Sequence, residues 1–145
     1  MAGKINATYK GIRRKGADHD SMIEVRLECT ADSAAATYPA YTLKSKGGNT
    51  IDLTGYFLYS AKAWPGATAP TDATDLTITD IDGVDLLGGR GTDFIDATSK
   101  TSTSAGTLVT DMPMPITSNL TITITNNAVN SAVCYIKLLF IESIG

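Results

Sequence analysis

MIEVRLEC, residues 22–29, alternates without a break, with Ile23, Val25, Leu27 and Cys29 on one side and Glu24, Arg26 and Glu28 on the other. A two-residue period is that of a β-strand, and charge at every second position leaves one of its faces in water. The run NLTITIT at 119–125 repeats the pattern, with Leu120, Ile122 and Ile124 inward and threonines outward. Two further runs, IDLTGYFLYSAKAW at 51–64 and AVCYIKLLFI at 132–141, are apolar on both sides. Such strands are central in a sheet or lie at an interface. Shorter strands are expected at 38–43 and 76–80.

Turn chemistry separates these runs. Lys46-Gly47-Gly48-Asn49, Pro65-Gly66 and Asn126-Asn127 interrupt the apolar pattern, and Asp82-Gly83 signals a hairpin leading into residues 84–87. TSKTSTSAG at 98–106 is low in complexity and reads as a loop. No window sustains a helical i, i+3, i+4 pattern between caps. The 21 threonines, many alternating with aliphatic residues, are β-branched and suit a pleated surface. The expectation is an all-β protein: one β-sandwich or jelly-roll-like domain over 21–145, preceded by a flexible basic N-terminal arm over 1–20.

Charge is unevenly spread. Residues 1–15 carry Lys4, Lys10, Arg13, Arg14 and Lys15 with no acid, whereas 71–96 carry seven Asp against Arg90. The net charge of −3 argues against a surface devoted to nucleic acid. From Ser104 onward only Asp111, Lys137 and Glu142 are charged, a surface suited to being covered by neighbours in an assembly. Cys29 and Cys134 read as buried small hydrophobes rather than a bridge. No apolar run reaches the roughly 20 residues that cross a bilayer, and MAGKINATYK lacks the apolar core of a secretory signal. Assembly in a cytoplasm, with no membrane, is expected.

The residues that carry chemistry are few. His19 is the sole histidine, so a Ser-His-Asp or Cys-His arrangement has to pass through it, and no nucleophile elbow accompanies it. One His and two Cys do not complete a zinc tetrahedron without a carboxylate. Asp80, Asp82 and Asp85 superficially suggest a calcium loop, but position 12 counted from Asp80 is Gly91, where a bidentate Glu belongs. Acids closing an Asp-Gly turn are the simpler reading. The Gly-rich LLGGRGT at 86–92 lacks the Gly-Lys-Ser/Thr that holds phosphate. Gly88, Gly89 and Gly91 are expected to serve positive φ or close backbone approach. Paired carboxylates within 72–96 leave a glycosidase arrangement open, although aromatic cleft residues are few beyond Trp64. Neither an enzyme nor a cofactor is expected.

GYFLYSAKAWPGATAPTDATDLTITDIDGVDLLGGRG, residues 55–91, resembles small structural proteins encoded among the morphogenesis genes of tailed bacteriophages. The Pro-Gly-x-x-x-Pro-Thr-Asp connection, the Leu-Thr-Ile-Thr-Asp strand and the Asp-Gly-x-Asp-Leu-Leu-Gly-Gly turn carry the resemblance, together with the later LTITITNN run and the aliphatic last strand. It covers about two thirds of the chain and is weak over 1–50. It implies a virion role without catalysis: a capsid decoration or cement protein bridging capsid subunits, or alternatively a tail, head–tail adaptor or fibre protein. A carbohydrate-binding β-sandwich, with Trp64 as the residue to test, is the third reading. The expected partners are the major capsid protein or other virion proteins and further copies of the chain, as a trimer. Lys10, Arg13, Arg14 and Lys15 are the capsid-contact candidates; Tyr135, Lys137, Leu139 and Ile141 are the oligomer-contact candidates.

Overall fold

A computed structural model describes residues 1–13, 15–18, 20–44, 52–104 and 115–142. His19, Arg14 and the turn at 46–49 lie outside them. Eight strands, and no helix among the described residues, form two antiparallel sheets: β1 (Lys4–Ile12), β2 (Met22–Thr30), β3 (Tyr41–Leu43), β4 (Phe57–Pro65), β5 (Asp75–Thr79), β6 (Thr101–Ser104), β7 (Leu120–Thr125) and β8 (Val133–Ile141). The larger sheet runs β1-β2-β8-β4-β6 and the smaller β3-β7-β5.

The alternation at 22–29 does what its period dictates. Ile23, Val25, Leu27 and Cys29 sit opposite Phe140, Leu138, Ile136 and Cys134 of β8, all eight buried. From the smaller sheet Leu76, Ile78, Leu120, Ile122 and Ile124 join the same core cluster, as does Leu43. Within that cluster the two cysteines are free thiols directly across from each other. A hydrogen bond that Cys29 donates to Cys134, and then burial, hold the Cys29 thiol well above its usual range.

Two expectations need correction. Residues 4–12 are not a flexible arm: β1 pairs with β2 over nine residues, from Lys4↔Thr30 to Ile12↔Met22. Its alternation is present, with Ile5, Ala7 and Tyr9 turned to the core, but Ala7 and Gly11 lend it little apolar weight beside Lys4, Lys10 and the three cations that follow the strand. The boundary drawn at residue 20 therefore falls in the β1–β2 connection. There Arg13 Nε lies 3.4 Å from Asp20 Oδ1, and the Tyr56 hydroxyl donates to the Asp20 carbonyl at 2.5 Å. The second correction concerns the loop expected at 98–106, which contains β6, paired with β4 from Ala63↔Thr101 to Ser60↔Ser104. A Thr-Ser run has no apolar signature, so a strand held chiefly by its backbone ladder escapes a hydrophobic pattern.

The turn expected at 82–83 forms, with Gly83 at φ 80 and its N–H donating to the Asp80 carbonyl. Beyond it the chain takes an irregular path, bridged to β5 and its approach at Thr79↔Asp85 and Thr74↔Ile95, rather than forming a strand. The glycine expectation holds. Gly88 and Gly89 have φ of 61 and 83, and Gly91 lies against the backbone of Leu76.

Tyr38 ties the core to the loop before β8, its hydroxyl donating to the Ala132 carbonyl at 3.2 Å. Burial, and then the neighbouring Cys134, push this phenol well above its usual range. The folded state thus keeps a phenol proton that the unfolded chain releases, so stability falls as pH rises through the alkaline range. The decline is expected to begin near about pH 10, the ordinary phenol value, at about 1.4 kcal/mol per pH unit for the proton retained. Urea midpoints between pH 7 and 11 test this. Tyr38→Phe should remove most of the decline, and a flat profile in the parent protein contradicts it.

Candidate functional site

The outward face of the five-stranded sheet gathers residues that lie far apart in the chain. Its strands are in register, so its side chains form rows across the sheet. Arg26, Lys137 and Lys62 are direct neighbours in one row, followed by Ser102 of β6. In the row beside it Glu28, Tyr135 and Trp64 are neighbours. On the other side run Lys10, Glu24, Leu139 and Ser60. Beyond them comes an apolar row, Ile12, Met22, Ile141 and Phe57, each half-buried.

Three cations directly opposite one another on adjacent strands repel. Two of them are compensated. The Arg26 guanidinium lies over both aromatic rings, 5.1 Å from the Tyr135 centroid and 5.4 Å from that of Trp64, a cation–π arrangement. Those rings stack with centroids 5.7 Å apart and planes 22° apart. Lys137 Nζ pairs with Glu24 Oε1 at 3.0 Å and lies 5.9 Å from the Trp64 centroid. Lys62 has no carboxylate partner among the described residues, and neither does Lys100 at the approach to β6. A groove of about 430 Å³ opens between them, lined also by Trp64, Thr101, Ser102 and Lys137.

The four oligomer-contact candidates all lie on this face but belong to two patches: Tyr135 and Lys137 to the cation–aromatic cluster, Leu139 and Ile141 toward the apolar row. Of the capsid-contact candidates, Lys10 is exposed on the edge strand and Lys15 is exposed in the β1–β2 connection. Arg13 is drawn toward Asp20, and Arg14 lies outside the described residues. Arg26 and Lys62 carry no signal as site residues in the linear sequence. Register reveals them: each occupies an outward position in its strand, facing Lys137 from opposite sides.

No family model, curated protein or solved structure matches this chain.

The acid-rich stretch is occupied with its own backbone. Asp80 Oδ1 accepts from the N–H groups of Asp82 and Val84 at 2.9 and 3.0 Å. Asp85 accepts from those of Ile78, Leu87 and Gly89, and Asp75 from that of Asp93. These carboxylates close turns, as short acidic side chains do. Asp96 is pushed up by burial and then by the Asp72 carboxylate beside it.

Proposed function

We propose that this chain is a structural component of a tailed-phage particle, a capsid decoration or cement protein that acts by adhesion and without catalysis. The observation that carries this reading is the open edge of β1. Among the described residues these nine pair with β2 alone, and an edge strand of this kind offers main-chain donors and acceptors to a partner strand. Lys4, Lys10 and Lys15 stand exposed along or beside that edge. Lysines on an edge disfavour pairing with a like-charged strand and favour an acidic one. The resemblance over residues 55–91 supports the same reading.

Strand order is compatible with it. The orders β1-β2-β8-β4-β6 and β3-β7-β5 fit two sheets packed as a sandwich, which we read as a jelly roll. That architecture recurs in viral capsid proteins and lectins, an argument by analogy of fold alone. In this proposal the apolar row Ile12, Met22, Ile141 and Phe57, with Leu139, supplies the contact between copies of a trimer. Closed symmetry lets one patch serve every subunit. Repetition over a shell then turns modest contacts into firm attachment.

Removing residues 1–15 would take out a strand of the sheet, so point substitutions are the sharper test. Lys10→Gln combined with Lys15→Glu alters two exposed side chains and is expected to shift stability by no more than about 0.5 kcal/mol. Co-sedimentation with purified capsids should weaken on the order of tenfold. Unchanged occupancy would exclude the β1 edge as the capsid contact.

A further inference from the structure

The groove beside Trp64 lies at the opposite side of the larger sheet from β1, three strand spacings or about 14 Å away. A partner on the β1 edge leaves it open. We propose that this groove is a binding site for an anionic saccharide, a pyranose carrying carboxylate or sulfate groups. Its ring lies against Trp64 and its acidic groups meet Lys62, Lys100 and Lys137. This goes beyond the structural role proposed above and does not depend on it.

Three observations converge. The first is charge: Lys62 and Lys100 line the groove without a carboxylate partner among the described residues, and Lys62 stands in register against Lys137. Like charges so placed cost stability in the free protein, and a bound anion relieves that cost. The second is shape and surface. A volume of about 430 Å³ lies within the range of small-ligand sites. Its wall combines an aromatic ring, which packs on the C–H face of a sugar, with the hydroxyl-bearing Thr101 and Ser102, which suit polar exchange with ring hydroxyls. The third is extent. The row Arg26, Lys137 and Lys62 covers only two strand spacings, about 10 Å, and Glu28 and Glu24 stand in the rows on either side of it. Those carboxylates repel a phosphate backbone continuing across the sheet, so a short acidic saccharide fits better than a nucleic-acid strand.

Calorimetric titration of the full chain tests this with four probes: a heparin-derived tetrasaccharide (sulfated), a tetragalacturonate (carboxylated), neutral cellotetraose and an oligothymidylate. At least one acidic saccharide is expected to bind about tenfold or more tightly than cellotetraose, with affinity falling as NaCl rises. Trp64→Ala should weaken that binding about tenfold, and so should Lys62→Glu with Lys100→Glu, two exposed positions whose change leaves the melting temperature in place. Thr123→Ala, on the other sheet, should leave binding unchanged. Binding of the neutral sugar as tight as the acidic ones overturns the proposal. So does tighter binding of oligothymidylate, retention of affinity in the lysine variant, or no binding by either acidic saccharide.

Discussion

Phe140→Ala is expected to lower the unfolding free energy by about 3–5 kcal/mol, the usual cost of deleting a buried aromatic ring. Phe140 is fully buried near the end of β8, with Ile23 of β2 on one side and Leu58 of β4 on the other. β8 is the middle strand of the larger sheet, so its backbone is held from both sides and cannot readily collapse into the space. Domains of this size are stable by only about 5–15 kcal/mol, and the loss would take a large share of that. Urea denaturation of the two proteins measures it. A difference below about 1 kcal/mol would mean that the sheets do not share the core described.

Gly91→Ala is the second large effect, roughly 2–4 kcal/mol, and its cause is different. A Cβ at this position would lie 1.8 Å from the carbonyl oxygen of Leu76 and 3.2 Å from Leu87 Cδ1. The obstacle is backbone in β5, which gives way only by moving the strand. Gly91 also accepts a hydrogen bond from the Leu76 N–H at 2.8 Å, so displacement breaks the tie that fastens the irregular 84–96 stretch to the smaller sheet. Gly83→Ala is the useful comparison. There a Cβ meets open space, and only the positive φ is unfavourable, at about 1–2 kcal/mol. Equal losses at the two positions would contradict the steric argument.

The core strands are legible in the sequence because the hydrophobic effect writes itself as alternation. Ile23 to Cys29, Leu120 to Ile124 and the double-sided 132–141 appear where their periods place them. β1 is obscured because its cations and small inward residues imitate a solvated tail, and its pairing is visible only once β2 provides a template. β6 carries no apolar residue at all. The strand expected from residue 51 starts later because Leu53 is buried in a turn, where its carbonyl accepts from the Tyr56 N–H before β4 begins at Phe57.

The cation–aromatic cluster is hidden for a related reason. Trp64, Tyr135 and Lys137 each stand out separately, yet Arg26 and Lys62 look like ordinary solvated charges in a linear reading. Only the cross-strand register, set by the inward faces, brings residues from β2, β4 and β8 into one patch. The Asp cluster illustrates the converse. It looks chemical in the chain and resolves into side chains that close turns against backbone N–H groups.

The most direct measurement is averaged electron-microscopic imaging of intact particles purified from cells that make this protein, with and without its gene. A capsid-bound adhesive domain predicts density matching one β-domain, repeated at symmetry-related positions on the head, with the β1 edge against the capsid surface and lost in the deletion. Particles that never contain the chain, or whose density is the same in both preparations, would contradict it.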